Sequence, residues 1–327
     1  MLVLSRSDVE RLLDPDLLRA GVARAMADLS AGRASMPARI AANVPEHDGL
    51  LAAMPAYLPS SAALTTKLVS LFPRNTDRPT HQAVILVFDA KHGTPVALMD
   101  GEAITAARTA AASALATDLL ARRDASVLAI VGTGVQARSH LRAVPRVRDF
   151  REVRIAGRHA ENAAALLAEA REWLPRANVR VADSYAQAED GADVICAATH
   201  SPEPVVRREW IAPGTHVTSV GYNTAGREVD AATFRDALLV VESRAAALAP
   251  PPAGSNDIAM AIAEGAITRE HVHAELGELV AGTRPGRATA EQITLYKSVG
   301  VAVQDAAAAA MVLEAALRAR AGREVEI

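Results

Sequence analysis

Residues 130–137 read IVGTGVQA, directly after a predicted strand and at the start of a predicted helix. This is the context that the dinucleotide-binding pattern G-x-G-x-x-G/A requires. Gly132 permits a tight turn, Gly134 lets the backbone approach a pyrophosphate, and Ala137 lets the helix pack on the sheet. The amino terminus of the helix offers unpaired N–H groups to an anion. A plain strand–turn–helix would share these glycines, but the setting favours a dinucleotide site that includes Thr133.

Short apolar strands alternate with helices around this segment. Such alternation predicts a Rossmann-type doubly wound parallel sheet, because each parallel strand needs a crossover connection. The predicted strands are Val127–Val131, Glu152–Ala156, Val179–Val181, Asp193–Ala198, His216–Val220 and Leu238–Glu242, and the predicted helices here are Val135–Val144 and Ala160–Trp173. The fold class is therefore α/β.

The first third of the chain has a different pattern, which predicts a second, α+β domain with a largely antiparallel sheet. Its predicted elements are the helices Asp8–Leu13 and Asp16–Ser30, the strands Ala62–Phe72, Ala83–Phe88 and Pro95–Met99, and a long helix Glu102–Arg122. Toward the carboxyl end, the apolar spacing predicts the helices Asp257–Glu264, His273–Val280 and Thr294–Arg320.

Composition limits the class of protein. The 327 residues are 50% hydrophobic, which is enough for the cores of two domains. The net charge of −3 excludes a generally basic surface that binds nucleic acid. The single cysteine, Cys196, excludes an internal disulfide, and no uncharged apolar stretch of about 18 residues predicts a membrane span. We expect a cytoplasmic protein, and the histidines show no spacing typical of a metal site.

The end of the second predicted strand bears on cofactor preference. A site selective for NAD usually has an Asp or Glu there, which binds the ribose 2′-hydroxyl. Here the residues are Ala156, Gly157, Arg158 and His159, without a carboxylate. Arg158 favours NADP(H) because it can pair with a 2′-phosphate. NAD(H) stays possible, since Arg158 could also be a solvated surface charge.

Two cations stand at positions predicted to be buried. Arg108 shares a helix face with Ile104 and Leu115, and Lys67 shares a strand face with Val69. A buried cation is unfavourable unless it meets an anion. Together with Arg39, these side chains could bind a small carboxylate. For any single one of them, a structural ion pair or a side chain that reaches solvent is the better explanation.

Five segments in order carry a resemblance to a known family. They are Lys67–Asn75 (KLVSLFPRN), Thr80–Gly101 (THQAVILVFDAKHGTPVALMDG), Thr105–Ala111 (TAARTAA), Gly132–Ala137 (GTGVQA) and Thr294–Asp305 (TLYKSVGVAVQD). Together they are much more specific than the glycine loop alone. Over nearly its whole length, the chain resembles the ornithine cyclodeaminase/mu-crystallin family.

The resemblance implies a substrate-binding and dimerisation domain at residues 1–118 and 296–327, an NAD(P)-binding Rossmann domain at 119–295, and a homodimer. It implies that a substrate carboxylate is held by Arg39, Lys67 and Arg108, with Val299 near the substrate. The cofactor contacts that it implies are Thr80, Val135, Gln136, Gly157, Arg158, Thr199 and Ser298. Gly300, predicted to lie inside a helix, would allow a close approach of ligand or backbone.

One residue departs from the pattern of the family. Asn223 stands where the cyclodeaminases of the family place an Asp that serves as acid and base for the amino group. An amide has no proton to exchange near neutral pH, so Asn223 cannot be a general base. We keep it as a candidate catalytic residue because of its place. Whether Glu228 or Asp230 compensates stays open at this point.

These residues lead to three hypotheses of function. The first is an imino-acid (ketimine) reductase or amino-acid dehydrogenase, in which a hydride passes between the nicotinamide and the α-carbon of a small amino or imino acid. Lys67 would relay a proton if burial lowers its pKa. The second is an ornithine or lysine cyclodeaminase that releases ammonia and recycles NAD internally. The third is an NADP(H)-dependent small-molecule binding protein with little catalysis.

Overall fold

The computed structural model describes residues 1–223 and 225–326. Contacts between Cα atoms divide the chain into two units, which are described separately. Unit 1 comprises Met1–Arg108 and Gly300–Ile327, and unit 2 comprises Thr109–Val299. The domain boundaries at 118/119 and 295/296 stay a prediction.

The described residues form the following elements. The helices are α1 (Arg6–Leu12), α2 (Pro15–Ser30), α3 (Gly101–Leu120), α4 (Val135–Ala143), α5 (Ala160–Trp173), α6 (Tyr185–Glu189), α7 (Ala231–Asp236), α8 (Arg244–Ala247), α9 (Asn256–Ala263), α10 (Leu276–Val280) and α11 (Ala302–Ala319). The strands are β1 (Leu2–Leu4), β2 (Ile40–Val44), β3 (Gly49–Leu58), β4 (Ala63–Leu71), β5 (His81–Asp89), β6 (Pro95–Asp100), β7 (Val127–Val131), β8 (Glu152–Ala156), β9 (Asn178–Val181), β10 (Val194–Ala197), β11 (His216–Ser219), β12 (Leu238–Val241), β13 (Val272–Glu275), β14 (Thr294–Lys297) and β15 (Arg323–Glu324).

Unit 1 is built on a mostly antiparallel sheet, as predicted. Its described strands follow the order β15-β1-β6-β5-β4-β3-β2, and only β1 and β6 pair in parallel. Side chains alternate between the two faces of the sheet, so Thr65, Lys67 and Val69 of β4 are all buried. Helix α11 packs against α2 and against β3 and β4. The buried face of the sheet therefore includes one lysine.

Unit 2 is built on a parallel sheet, which confirms the predicted α/β class. Its described strands follow the order β13-β12-β14-β11-β10-β7-β8-β9, and every pair is parallel. The chain winds outward from β7 in one direction through β8 and β9, and in the other through β10 and β11. In such a sheet, ligands bind at the carboxyl ends of the strands where the order reverses. Among the described residues, no helix is long and apolar enough to cross a membrane.

The predicted helix Thr294–Arg320 is wrong over its first eight positions. Thr294–Lys297 is strand β14, which lies in parallel between β12 and β11, and helix α11 begins only at Ala302. All four residues of β14 are buried, since a central strand of a parallel sheet is covered on both faces and shows no alternation. Gly300 is therefore not inside a helix. It lies in the connection after β14, with a φ of +72°.

The structure differs from the sequence analysis in two further places, one predicted helix and one strand that was not predicted. The predicted helix His273–Val280 is divided into strand β13 and the short helix α10, because the Glu278 carboxylate accepts the N–H of Glu275 and starts the helix there. Strand β3 was not predicted, because Pro55 interrupts its sequence pattern. Pro55 pairs with Thr66 of β4 beyond the part of β3 that pairs with β2, where a strand tolerates a missing N–H.

Candidate active site

The glycine loop in unit 2 forms a tight turn after β7. Gly132 has a φ of +116°, and a Cβ atom there would lie 2.4 Å from the carbonyl oxygen of Ala198. Its N–H donates to the carbonyl of Ala156 over 2.8 Å. The same Cβ atom would lie 3.3 Å from the Thr199 side chain. Glycine is required here because the loop lies directly against the carboxyl ends of β8 and β10.

The amino terminus of α4 is open to a ligand. Gly134 is the N-cap and offers no side chain to the first turn, and a Cβ atom there would meet nothing within 4 Å. Ala137 is fully buried, as the predicted packing of helix on sheet requires. Arg138 fixes the loop, since its Nη1 donates to the carbonyl of Thr133 over 2.8 Å and its Nε to Glu169 over 3.0 Å. The N–H groups of the first turn can therefore bind an anion such as a pyrophosphate.

The end of β8 lies beside this turn. A Cβ atom on Gly157 would lie 2.5 Å from the Thr133 side chain, so the two loops are in close contact. Arg158 is exposed, and its Nε donates to the His159 ring over 3.1 Å. His159 is the N-cap of α5 without a side-chain capping bond. Arg158 and the amino terminus of α5 thus lie together at the end of β8.

In unit 1, the predicted cations meet a carboxylate that the sequence did not single out. Asp305 of α11 lies 3.4 Å from Lys67 Nζ and 3.1 Å from Arg108 Nε, both measured to Oδ1. Lys67 also donates to Thr105 Oγ1 over 2.6 Å, and Arg108 Nη1 donates to Gln304 Oε1 over 3.0 Å. At most 5% of each of the three charged residues is exposed. We call Lys67, Arg108 and Asp305 the buried charge cluster.

Arg39 and Gly300 belong to the same site. Arg39 Nη2 donates to the carbonyl of Gly300 over 2.7 Å. A Cβ atom on Gly300 would lie 2.7 Å from both Nη1 and Nη2 of Arg108. The glycine therefore brings the backbone against one guanidinium while its carbonyl accepts from the other. The predicted trio Arg39, Lys67 and Arg108 is brought together through Gly300 and Asp305.

The electrostatics of the cluster favour a small anion. Burial and the positive charges of Arg108 and Arg39 together lower the pKa of Lys67 to about 8, against the opposing effect of Asp305. Burial alone would raise the pKa of Asp305, but Arg108 and Lys67 hold it below its usual value. Asp305 thus stays negative beside two cations, which leaves the buried charge cluster with one excess positive charge. The excess of positive charge at this site can be balanced by a monocarboxylate.

His81 was not singled out from the sequence, although it stands near the cluster. It begins β5 opposite Leu71, on the face that also carries Lys67. Burial lowers the pKa of His81 to about 4, and the charges of Lys67 and Arg108 lower it further. Its imidazole is therefore neutral at physiological pH and adds no charge. The sequence indicated His81 only through its position in Thr80–Gly101, one of the five segments that carry the resemblance to the family.

The other predicted residues divide between the units. Thr80 is exposed in unit 1, where its carbonyl accepts the N–H of Phe72. In unit 2, the Ser298 hydroxyl donates to the buried Glu242, whose second oxygen accepts the N–H of Val299 over 3.1 Å. These contacts hold Ser298 and Val299 in place after β14, and their roles toward a ligand stay predictions.

Asn223 uses both ends of its amide inside unit 2. Its Nδ2 donates to the carbonyl of His200 over 2.9 Å, and its Oδ1 accepts the N–H of Ala225 over 2.8 Å. Asn256 in turn donates to the carbonyl of Asn223 over 3.1 Å and to that of Gly226 over 2.7 Å. The side chain thus joins the loop after β11 to the loop after β10. These contacts give it a bridging role within the unit.

Residues 1–320 match the model of the ornithine cyclodeaminase/mu-crystallin family. The chain is similar to the ketimine reductase mu-crystallin of Mus musculus, with 40% identity over 318 residues that cover 95% of this chain and 96% of that protein.

Two solved structures share the fold over nearly all of the chain. One is the Thermococcus litoralis Δ1-pyrroline-2-carboxylate reductase in complex with NADH and L-proline, with a TM-score of 0.94, 41% identity, and coverage of 99% of this chain and 100% of that one. The other is an archaeal alanine dehydrogenase dimer with bound NAD, with a TM-score of 0.92, 32% identity, and coverage of 100% of this chain and 99% of that one.

The low pKa of Lys67 makes anion binding depend on pH. We expect the affinity for a small monocarboxylate such as acetate to be constant from about pH 6 up to about pH 8, where Lys67 is protonated and acetate is ionised. Above that pH the lysine loses its charge while the carboxylate keeps its own, so the affinity falls, approaching about tenfold per pH unit. Calorimetric titration across this range measures it. Lys67→Met should bind weakly without this pH dependence, and Lys91→Met, at an exposed turn, should keep the original profile. A pH profile of Lys67→Met that matches the unmodified protein would contradict this role.

The close approach at Gly300 gives a second prediction. Gly300→Ala forces a methyl group into the Arg108 guanidinium, so we expect affinity for a small carboxylate to fall about tenfold, equivalent to about 1.4 kcal/mol. Gly32→Ala is the matched control, since Gly32 has a φ of +68° but nothing within 4 Å of its Cβ position. Both variants carry the cost of a left-handed alanine. Equal carboxylate affinity in the two variants, measured by calorimetry, would contradict the interpretation.

Proposed function

Because the chain belongs to the ornithine cyclodeaminase/mu-crystallin family, we propose that it is an NAD(P)-dependent oxidoreductase that acts on a small amino or imino acid. The activity that we favour is reduction of an imino acid, as a ketimine reductase, or the reverse reaction, as an amino-acid dehydrogenase. The observation that carries the proposal is the buried charge cluster, in which Lys67 and Arg108 share Asp305. Proteins similar to this chain include a ketimine reductase and a pyrroline-2-carboxylate reductase.

The residues of unit 1 would bind and orient the substrate. Arg39 and Arg108 hold the carboxylate, because guanidinium groups donate paired hydrogen bonds that fix a carboxylate in one orientation. Fixing the carboxylate also fixes the α-carbon attached to it. Such positioning is a large part of the work of a hydride-transfer enzyme, since the cofactor, when bound, supplies the hydride itself.

Lys67 would supply the proton. When the α-carbon of an imino acid accepts a hydride, its nitrogen must take up one proton for the C=N bond to become CH–NH. A lysine whose pKa is about 8 is protonated at neutral pH and yet releases a proton more readily than a solvated lysine. Lys67 then recovers a proton from solvent. His81 cannot replace it as the acid, because its pKa of about 4 leaves the ring neutral.

Unit 2 would hold the dinucleotide. The turn at Gly132 and the first turn of α4 would bind the pyrophosphate. Thr199 and Ser298 lie at the carboxyl ends of β10 and β14, the two strands that flank β11. Gly134 fits a bound pyrophosphate, because the space that a Cβ atom would take there, beside the amino terminus of α4, is open. We propose NADP(H) as the preferred form, supported by Arg158 and the lack of a carboxylate after β8.

We also propose a homodimer. The outer face of the sheet in unit 1 carries a cross-strand row formed by Ile40, Ala53, Leu68 and Val84. Ile40 is 70% exposed, and an apolar sheet face of this kind is typical of an interaction surface. The similar alanine dehydrogenase was solved as a dimer.

Location in the cytoplasm stays a prediction based on the single cysteine.

The activity can be tested directly. We expect oxidation of NADPH in the presence of 1-pyrroline-2-carboxylate, 1-piperideine-2-carboxylate, or a 2-oxo acid with ammonia, followed by the loss of absorbance of the reduced cofactor. Lys67→Met should lower kcat at least about a hundredfold, because it removes the acid. Release of ammonia from ornithine or lysine without net cofactor reduction would favour a cyclodeaminase instead. Binding of NADPH without turnover of any of these compounds would favour a binding protein.

Cofactor preference depends on Arg158. We expect Arg158→Ala to raise the KM for NADPH about tenfold and to change the KM for NADH less than about twofold, because only NADPH has a 2′-phosphate. Arg176→Ala, at another exposed arginine of unit 2, is the control and should change neither value. Equal effects of Arg158→Ala on both cofactors would remove the support for an NADP(H) preference.

A further inference from the structure

We propose that Glu228 is a positioning residue for the nicotinamide half of the cofactor, which it serves by fixing the carboxyl ends of β10 and β11. This inference rests on the proposed function, because it needs a nicotinamide dinucleotide at unit 2. The Glu228 carboxylate accepts its hydrogen bonds from Thr199, Ser219 and Gly221, whereas the pyrophosphate is proposed to bind at the turn of Gly132. Although Thr199 also packs near that turn, we expect Glu228 to have its larger effect on the nicotinamide half.

The Glu228 carboxylate accepts four hydrogen bonds from two strand ends. Oε1 accepts from the backbone N–H of Thr199 over 2.6 Å and from its hydroxyl over 2.8 Å. Oε2 accepts from the Ser219 hydroxyl over 2.7 Å and from the N–H of Gly221 over 2.9 Å. Only 2% of Glu228 is exposed. One side chain thus ties the end of β10 to the end of β11.

The buried ion pair between Lys297 and Asp257 supports the segments that carry Glu228 and its partners. Lys297 of β14 donates to the Ser219 hydroxyl over 3.0 Å and to the carbonyl of Gly221 over 2.8 Å, and its Nζ lies 3.1 Å from Asp257 Oδ2. Asp257 Oδ1 accepts the backbone N–H of Glu228 over 2.9 Å. The contacts close into a ring in which each charged group meets a partner, so Glu228 has little freedom to move.

Close packing supports the same assignment. A Cβ atom on Gly221 would lie 2.4 Å from Glu228 Oε1 and 2.4 Å from the carbonyl oxygen of Thr199. The backbone after β11 therefore passes directly over the carboxylate, where only glycine fits. With both oxygens occupied by donors, Glu228 is poorly placed to replace the missing Asp as a general base. It acts on the reaction through Thr199 and the backbone of Gly221.

The nicotinamide half is the part that these strand ends should affect. In a doubly wound sheet, the pyrophosphate binds after the first strand, which here is β7. The adenosine half lies toward β8, and the nicotinamide half extends across the strands on the far side of the reversal point, which here are β10, β11 and β14. Thr199, the predicted cofactor contact of β10, is the residue that Glu228 holds by two bonds.

Calorimetric titration with NADH and with ADP-ribose, which lacks the nicotinamide, tests the proposal. Glutamine has one accepting oxygen and a donating NH₂ group, so Glu228→Gln turns a donor toward donors of the strand ends. We expect Glu228→Gln to bind NADH about tenfold more weakly and ADP-ribose less than about twofold more weakly. The KM for the imino acid should stay within about twofold. Glu209→Gln, at an exposed glutamate of the same unit, should bind both ligands as the unmodified protein does.

A second, milder variant keeps the proposal testable if Glu228→Gln does not fold. Ser219→Ala removes one of the four donors, and we expect it to weaken NADH binding about threefold without an effect on ADP-ribose. Equal losses of both ligands in the two variants, or no loss of NADH in either, would overturn the positioning role. If the unmodified protein binds neither NADH nor NADPH, the proposed function itself fails, and that outcome is separate from a failure of the variants to discriminate.

Discussion

The shared carboxylate of Asp305 is the interaction on which the site in unit 1 depends. Lys67 and Arg108 come from a strand and a helix that are far apart in sequence, and both are buried. Two like charges at such a distance from solvent repel each other and lose hydration, which a single anionic partner between them offsets only in part. Asp305 thus keeps the cations in place and leaves a net positive charge. A small anionic ligand completes the charge balance that the fold begins.

Acidic side chains organise both units by accepting hydrogen bonds and pairing with cations. In unit 1 a carboxylate orders cations, whereas in unit 2 the Glu228 carboxylate orders neutral N–H and O–H groups. Asn223 extends this pattern, since its amide bridges two loops at a place where the resemblance to cyclodeaminases implies an acid–base carboxylate. The one group in the described residues whose shifted pKa suits proton transfer near neutral pH at this site is Lys67. That arrangement suits a reductase, which must add one proton and remove none.

The glycine loop, the alternating strands and the buried placement of Lys67 and Arg108 could be predicted from the sequence, because each rests on a local period or a local motif. The partner of the cations could not, because Asp305 lies in an alanine-rich helix and meets Lys67 only through tertiary packing. Gly300 was noticed as an unusual residue but placed in a helix. A glycine is needed there because the guanidinium of Arg108, from a helix distant in sequence, lies against it, and no local sequence pattern shows that contact. Strand β14 was missed because a strand buried on both faces has no alternation to detect.

The position of β14 between β11 and β12 constrains how the chain can be made. During synthesis β11 and β12 leave the ribosome before residues 294–297, so two strand edges of the sheet stay unpaired until β14 has also been made. Unpaired edges of apolar parallel strands are prone to associate with other chains. A product that ends before Thr294 would expose both edges, where the strands of other chains could pair with them.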